Sequence, residues 1–203
     1  MLQSKLIDYR LLADACQYYD KQGYMQREVP WIVEAEYSRM TSPLPGDGFS
    51  FVLQDKRHLV ASGEQGFVEQ TLRGVGEFSY TDRCFAVSPC FRDEPHDATH
   101  SKWFMKLELF SLHAKPEAAY QSSFKMLDQA RTFALSKGCI DTWQQKTDIG
   151  YDLMVSELEI GSYGIRKIGD YYIAYGTGAA LPRLSLAIEG TIPAEHAYDW
   201  SQS

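Results

Sequence analysis

The stretch CFRDEPHDATHSKWFMKLELF at residues 90–110 is the strongest indication of the fold of this chain. It belongs to two strand-like runs, at 85–92 and 104–112, that are joined by a polar connection at 93–102. Short runs of apolar and aromatic residues on either side of a polar segment are typical of paired β-strands. We therefore predict an antiparallel hairpin with a long loop in the middle of the chain.

The two strands of this hairpin carry charged and aromatic side chains at alternate positions. Residues two apart in a strand share a face, so Arg92 and Glu94 should point together, as should Phe104, Lys106 and Glu108. A guanidinium can bind a phosphate, a carboxylate can accept from an adenine amino group, and a ring can stack on the base. The face suits a nucleotide; the alternative is that these alternating charges only face water.

Turn formers and hydrophobic spacing divide the rest of the chain into helices and strands. The predicted helices lie at 6–19, 64–72, 116–137 and 181–188. The predicted strands lie at 31–33, in a hairpin of 49–53 with 57–61 after a loop at 41–48, and in an antiparallel series over 151–175 with turns at Gly161, Gly164 and Gly169-Asp170. A mostly antiparallel sheet flanked by helices makes an α+β domain.

Length and composition indicate a single domain. The 203 residues, 44% of them hydrophobic, can bury one sizeable core. We predict that this core spans 1–190 and that 191–203 forms a loosely held tail. The formal net charge of −7 does not favour polyanionic partners, although a local basic groove remains compatible with it.

Cysteine usage and hydropathy indicate a cytoplasmic protein. The four cysteines show no C-x-x-C spacing, which indicates reduced thiols rather than metal ligands. No apolar run is long enough to cross a bilayer, and the N-terminus lacks the pattern of a signal peptide. We expect a soluble protein with no membrane partner.

Three segments, in this order along the chain, resemble the signature motifs of the class II aminoacyl-tRNA synthetase catalytic core. They are GYMQREVPWIV at 23–33, the stretch at 90–110, and GTGAALPRLSLAIEG at 176–190. The second is most similar to the phenylalanyl type, but Lys106 stands where that type has glutamine and the seryl type has lysine. The resemblance covers nearly the whole chain, and it does not name the amino acid.

The resemblance implies which residues bind ATP. Arg92 would hold the α-phosphate, and Glu94 would grip the nucleotide together with the loop. Phe104 would lie under the adenine, and Arg183 would clamp the opposite face of the base and reach the γ-phosphate. Arg92 and Arg183 are therefore the predicted catalytic residues.

Further residues complete the predicted ATP and metal site. Lys106 and His100 belong to the ATP-binding set, although His100 could equally stabilise the turn of its loop. Glu159 matches an acid that binds Mg²⁺ and ATP in the family, and a carboxylate with phosphate oxygens is the environment that magnesium prefers. Glu157 is either part of this set or only its neighbour on the same face.

A second set would bind the amino acid. Glu64 resembles the acid that holds the α-ammonium group of the substrate in family members, and Gln65, Glu108 and Ser162 are the other candidates. For Glu64 the alternative is a favourable interaction with the dipole of the helix that it begins.

The resemblance implies an AMP-forming ligase that uses ATP and Mg²⁺ to activate an amino acid or a similar acid. The sequence shows no anticodon-binding domain, so we expect an acceptor other than, or less demanding than, a full tRNA. A tRNA, a carrier protein and a small amine remain the alternatives. We also expect a homodimer whose interface contains 23–33. The alternatives are a regulatory or binding module without catalysis, and an oligomeric scaffold.

Overall fold

The computed structural model describes residues 7–42, 50–75, 78–80, 82–93 and 101–190. Its helices are α1 (Tyr9–Lys21), α2 (Ala35–Thr41), α3 (Gly63–Arg73), α4 (Pro116–Ser136) and α5 (Arg183–Glu189). Its strands are β1 (Met25–Gln26), β2 (Ile32–Val33), β3 (His58–Leu59), β4 (Arg83–Phe91), β5 (Trp103–His113), β6 (Thr142–Lys146), β7 (Gly150–Val155), β8 (Leu158–Ile168) and β9 (Tyr171–Leu181).

Seven strands form one sheet in the order β1-β4-β5-β9-β8-β7-β6. β1 runs parallel to β4, and the other neighbouring pairs are antiparallel. The predicted hairpin is present, since β4 and β5 pair from Arg83 opposite Ser111 to Phe91 opposite Trp103. The structure therefore confirms the α+β fold and its mostly antiparallel sheet.

Helices begin and end at the signals that the sequence provides. The Asp8 carboxylate caps α1 by accepting from the backbone N–H groups of Arg10 and Leu11, at 2.9 and 3.0 Å. Pro116 occupies the first turn of α4, where its missing N–H costs nothing. Gly138, at a φ of +99°, follows the end of α4, a conformation that glycine adopts readily.

The alternation of β5 gives the sheet two different faces. Leu107 and Leu109 pack in the larger core with α1 and α4. Phe110 faces the other way and stacks on Phe67 of α3, with ring centroids 4.5 Å apart. Helix α3 covers this second face only at its Phe110 end. The predicted site residues at the opposite end of β5 therefore lie beside a cavity and are not covered by a helix.

Two of the turns predicted between residues 151 and 175 were wrong. Gly161 and Gly164 lie inside β8 and form no turn; a Cβ at either position would approach a tyrosine hydroxyl within 2.7 Å, so close packing explains both glycines. The turn at Gly169-Asp170 is confirmed. Helix α2 and strand β6 were not predicted, because α2 is short and β6 (TWQQK) lacks apolar alternation.

The hairpin predicted between 49–53 and 57–61 is present in a short form. The Leu53 N–H donates to the Arg57 carbonyl oxygen at 2.8 Å, the Leu59 N–H donates to the Phe51 carbonyl oxygen at 3.0 Å, and Val52 and His58 form an antiparallel bridge. β3 pairs with β2. The predicted loop at 41–48 lies mostly outside the described residues, as does the predicted tail. None of the described helices is long and apolar enough to cross a membrane.

Stability should depend on the protonation of His113, at the end of β5. Its Nε2 lies 2.8 Å from Ser111 Oγ, and its Nδ1 is buried without a partner among the described residues. Burial lowers the pKa of His113 below its ordinary 6.5. The unfolded chain therefore takes up a proton near pH 6.5 that the folded protein resists, so the free energy of unfolding falls as the pH drops below that value. Urea unfolding from pH 5 to 8 should show a smaller fall for His113→Gln than for wild type, and equal falls would contradict this role.

Candidate active site

A cavity opens beside the uncovered end of β5. It encloses about 570 Å³ of space, part of it open to solvent. Six of the site residues predicted from the sequence line it. One follows β4, two lie on β5, two on β8 and one begins α5; in that order they are Arg92, Phe104, Lys106, Glu159, Ser162 and Arg183. The structure thus brings together residues that are up to 91 positions apart (183 − 92).

Arg92 and Phe104 form one wall of the cavity. The Arg92 guanidinium lies 4.8 Å from the centroid of the Phe104 ring, a cation–π distance. Arg92 Nε donates to the carbonyl oxygen of Ala61 at 3.2 Å. Strand pairing places Phe104 opposite Cys90, two residues before Arg92, which explains why the ring and the guanidinium meet.

Arg183 and Glu159 form another wall. Arg183 is the first residue of α5 and is separated from the end of β9 by Pro182; its Nη1 lies 3.5 Å from Glu159 Oε2. Asp152, which the sequence did not single out, pairs with Ser162 across β7 and β8. Burial raises the pKa of Asp152, and the nearby Glu159 charge adds to the rise. The carboxylates of Asp152 and Glu159 therefore repel each other, and of the two only Glu159 lines the cavity.

The sequence offered no signal for Asp152. Its neighbours on β7 form an ordinary apolar strand, and only the register between β7 and β8 brings it near Glu159. Glu157, by contrast, lies in the turn between β7 and β8 and not on the strand face predicted for it, because β8 begins at Leu158.

A buried ion pair lies behind the cavity wall. Lys106 Nζ is 2.9 Å from Glu108 Oε2, and the Ser62 hydroxyl donates to the same oxygen. Glu108 is fully buried, whereas Lys106 reaches the cavity. Strand β5 thus delivers Phe104 to the cavity wall, Lys106 to its floor and Glu108 beneath the floor.

Glu64 and Gln65, at the start of α3, do not line the cavity. Glu64 is buried and forms an ion pair with Arg166 at 3.0 Å. Gln65 is occupied by internal hydrogen bonds: its Oε1 accepts from the Ala61 N–H at 2.7 Å and its Nε2 donates to the Ser38 carbonyl oxygen at 3.1 Å. Glu94 and His100 lie outside the described residues.

Several solved structures with a similar fold are aminoacyl-tRNA synthetases. Pyrrolysyl-tRNA synthetase from Desulfitobacterium hafniense matches with a TM-score of 0.71 at 22% identity, over 90% of this chain and 69% of that one. The serine-tRNA ligase of Naegleria fowleri, in complex with AMP, matches with a TM-score of 0.71 at 16% identity, over 87% of this chain and 46% of that one. The fold is that of a class II aminoacyl-tRNA synthetase catalytic core.

A third structure with this synthetase fold is the seryl-tRNA synthetase from Pyrococcus horikoshii complexed with ATP. It matches with a TM-score of 0.69 at 16% identity, over 89% of this chain and 49% of that one. The chain therefore spans about half the length of the two seryl enzymes. No protein-family model and no curated protein matches its sequence. At these identities the structural likeness establishes the synthetase fold alone.

Proposed function

We propose that this protein uses ATP to activate an amino acid, or a similar carboxylic acid, as an acyl-adenylate and then transfers the acyl group to an acceptor. The main support is the cavity, in which Arg92, Phe104 and Arg183 surround one space on the synthetase fold. The ATP and AMP complexes of the two seryl enzymes support a nucleotide as its occupant.

The proposed pose places adenine between the Phe104 ring and the Arg183 guanidinium. A ring stacks on a base through its face, and a planar guanidinium can stack on the other side. The Arg92 guanidinium lies over the Phe104 ring in this structure. In this pose it would leave that face of the ring to the base and contact the α-phosphate. Lys106, on the floor of the cavity, would add positive charge.

The reaction is an in-line displacement at phosphorus. A carboxylate oxygen of the substrate forms a bond to the α-phosphorus while the bond to the pyrophosphate oxygen breaks, giving acyl-adenylate and pyrophosphate. The substrate carboxylate is ionised at neutral pH, so no side chain has to act as a base. The rate enhancement comes from two effects. The site orients the two substrates, and Arg92 and Arg183 stabilise the negative charge that develops on the phosphate.

Glu159, which lines the cavity, and the neighbouring Asp152 fit a magnesium ion bound together with ATP. Among the described residues no group of three or more His, Cys, Asp or Glu side chains could hold a metal unaided. Magnesium bound to nucleotides commonly uses one or two carboxylates and phosphate oxygens. Glu159, with Asp152 beside it, provides such a pair, and a divalent cation would relieve their repulsion. When bound, the ion would neutralise phosphate charge.

The test of this function is amino-acid-dependent exchange of pyrophosphate into ATP. Purified protein, ATP, Mg²⁺ and labelled pyrophosphate are incubated with each amino acid separately. Exchange with one amino acid establishes adenylation and identifies the substrate, after which tRNA, carrier proteins and small amines can be compared as acceptors. ATP binding without exchange for every amino acid would instead favour a regulatory or binding module.

We also propose that the chain forms a homodimer through 23–33. The exposed apolar side chains Met25, Trp31 and Ile32 lie in this segment, and Trp31 is 50% exposed. Sedimentation of wild type should show a dimer, and Trp31→Glu should shift it towards monomer because a charge would be buried. Ile140→Glu, at a position that is 73% exposed and outside this segment, should remain dimeric. A monomeric wild type would contradict the proposal.

A further inference from the structure

Ser62, the residue before α3, lies beside the buried pair of Lys106 and Glu108. Its hydroxyl donates to Glu108 Oε2, and Lys106 Nζ lies 3.4 Å from Ser62 Oγ. Lys106 Nζ is also 2.9 Å from the same Glu108 oxygen. A hydroxyl that donates to a base, with a third group that orients the base, is the arrangement of an activated serine nucleophile.

The Ser62 hydroxyl also caps α3, but this role does not use its proton. Its Oγ accepts from the Glu64 N–H at 3.4 Å. Capping requires only an acceptor, so the bond that Ser62 donates to Glu108 is not needed at the helix end. The N-terminus of this 11-residue helix also favours negative charge on the Ser62 oxygen.

Two buried polar atoms near Ser62 are available for a further hydrogen bond. Ser88 Oγ and Glu108 Oε1 have no hydrogen-bond partner among the described residues. Both side chains lie against the first residue of α3, since a Cβ at Gly63 would lie 3.0 Å from Ser88 Oγ and 3.1 Å from Glu108 Cβ. Ser88 pairs with Lys106 across β4 and β5. The Ser88 hydroxyl and the Lys106 ammonium are therefore two donors that could stabilise an oxyanion formed at Ser62.

Ser62 adjoins the cavity through two of the residues that line it. Lys106, which lies next to the Ser62 hydroxyl, is one of them. Arg92 is the other, because its Nε donates to the carbonyl oxygen of Ala61, the residue before Ser62. Ser62 itself is only partly buried. Its hydroxyl is thus beside the space in which we propose that the acyl-adenylate forms.

We propose that Ser62 takes the acyl group from the acyl-adenylate and holds it as an ester before transfer to the acceptor. Ser62 Oγ forms a bond to the carbonyl carbon, the bond from that carbon to the phosphate oxygen breaks, and AMP leaves. The hydroxyl proton passes to Glu108, which returns it to Ser62 when the acceptor takes the acyl group. This inference rests on the proposed function and extends it to the transfer step.

The first test uses a chemical acyl donor and needs no ATP. Wild type incubated with p-nitrophenyl acetate should gain an acetyl group, and peptide mapping by mass spectrometry should place it on Ser62. Hydroxylamine should remove it, because it cleaves an ester but not the amide of an acetylated lysine. Labelling of lysines alone, or no labelling, would overturn the proposal.

Variants of the serine and of its base make this test specific. Ser62→Gly should remove the adduct while retaining α3, since glycine is a tolerated N-cap residue. Glu108→Gln should slow formation of the adduct about a hundredfold, the usual contribution of a general base. Thermal unfolding of each variant would establish that it is folded. Equal labelling rates in Glu108→Gln and wild type would exclude Glu108 as the base.

Ser136→Ala is the matched control. The Ser136 hydroxyl donates to the carbonyl oxygen of Phe133 at 2.7 Å, so its proton is held by a backbone group and not by a carboxylate. This variant should be labelled at Ser62 at the wild-type rate. Labelling of Ser136 as fast as Ser62 in wild type would show that Ser62 is not activated.

The second test uses the complete reaction without an acceptor. With ATP, Mg²⁺, pyrophosphatase and an amino acid that supports exchange, wild type should release about one AMP per chain in a burst. Peptide mapping should then find the amino acid on Ser62 as an ester. Exchange without a burst and without labelled Ser62 would overturn the proposal. If no amino acid supports exchange, the proposed function fails, and p-nitrophenyl acetate alone decides whether Ser62 is a nucleophile.

Discussion

Arg92→Ala should reduce amino-acid-dependent ATP–pyrophosphate exchange by a factor of about 10²–10³, the usual cost of removing one donor to developing negative charge. The guanidinium lies over the Phe104 ring, and in the proposed pose it leaves that face of the ring to the base and contacts the α-phosphate. Most of the loss should appear in kcat, because the contact strengthens as charge develops. Initial exchange rates at saturating ATP and amino acid would measure it.

Arg92→Lys distinguishes charge from geometry in this prediction. Lysine keeps the positive charge but cannot bind a phosphate through two parallel hydrogen bonds or hold the Ala61 carbonyl in the same way. We expect it to recover only part of the activity. Full activity in Arg92→Ala would exclude Arg92 from catalysis, and equal loss in Arg57→Ala, an exposed arginine paired with Asp55, would indicate a general effect of charge.

The cavity face to which we assign the nucleotide could be predicted from the sequence because it follows from strand geometry. Alternation along β5 is a local property, so Phe104 and Lys106 had to share a face once the strand was recognised. Pairing of β4 with β5 then brings Arg92 to that face. Arg183 was predicted only through the resemblance of the third motif, and the structure places it at the start of α5, at the end of the sheet.

Partners contributed by distant strands could not be predicted in this way. Arg166 meets Glu64, and Asp152 approaches Glu159, only through the registers of β7, β8 and β9 and the packing of α3. A one-residue shift in register would move each side chain to the other face of the sheet. Alternation alone does not fix the register between strands that are far apart in sequence.

The prediction of turns at two glycines was wrong for a related reason. Glycine is common in turns, but Gly161 and Gly164 lie within β8, where the absence of a side chain leaves room for tyrosine side chains. The same residue type marks a turn or a close contact, depending on what packs against it. Gly169, at a φ of +54° between β8 and β9, is the one of the three that does form a turn.

Lys106→Met should lower the free energy of unfolding by about 3–5 kcal/mol, the usual cost of leaving one charge of a buried pair without its partner. Glu108 is fully buried, and its Oε2 is held by Lys106 at 2.9 Å and by the Ser62 hydroxyl. Methionine retains the length of the side chain but offers the carboxylate no proton. Urea unfolding at pH 7 would measure the change.

The reverse substitution should cost less, because the two charges differ in their access to water. The Lys106 side chain is 11% exposed and reaches the cavity, whereas that of Glu108 is 1% exposed. In Glu108→Gln the ammonium can therefore be hydrated from the cavity, and the double variant Lys106→Met with Glu108→Gln should regain most of the stability lost in Lys106→Met. Lys102→Met, which removes an exposed pair with Asp93, should change stability by less than about 1 kcal/mol. If Lys106→Met and Lys102→Met had the same free energy of unfolding, the buried pair would contribute no more to stability than the exposed pair. The unpaired Glu108 carboxylate would then be accommodated without a measurable cost.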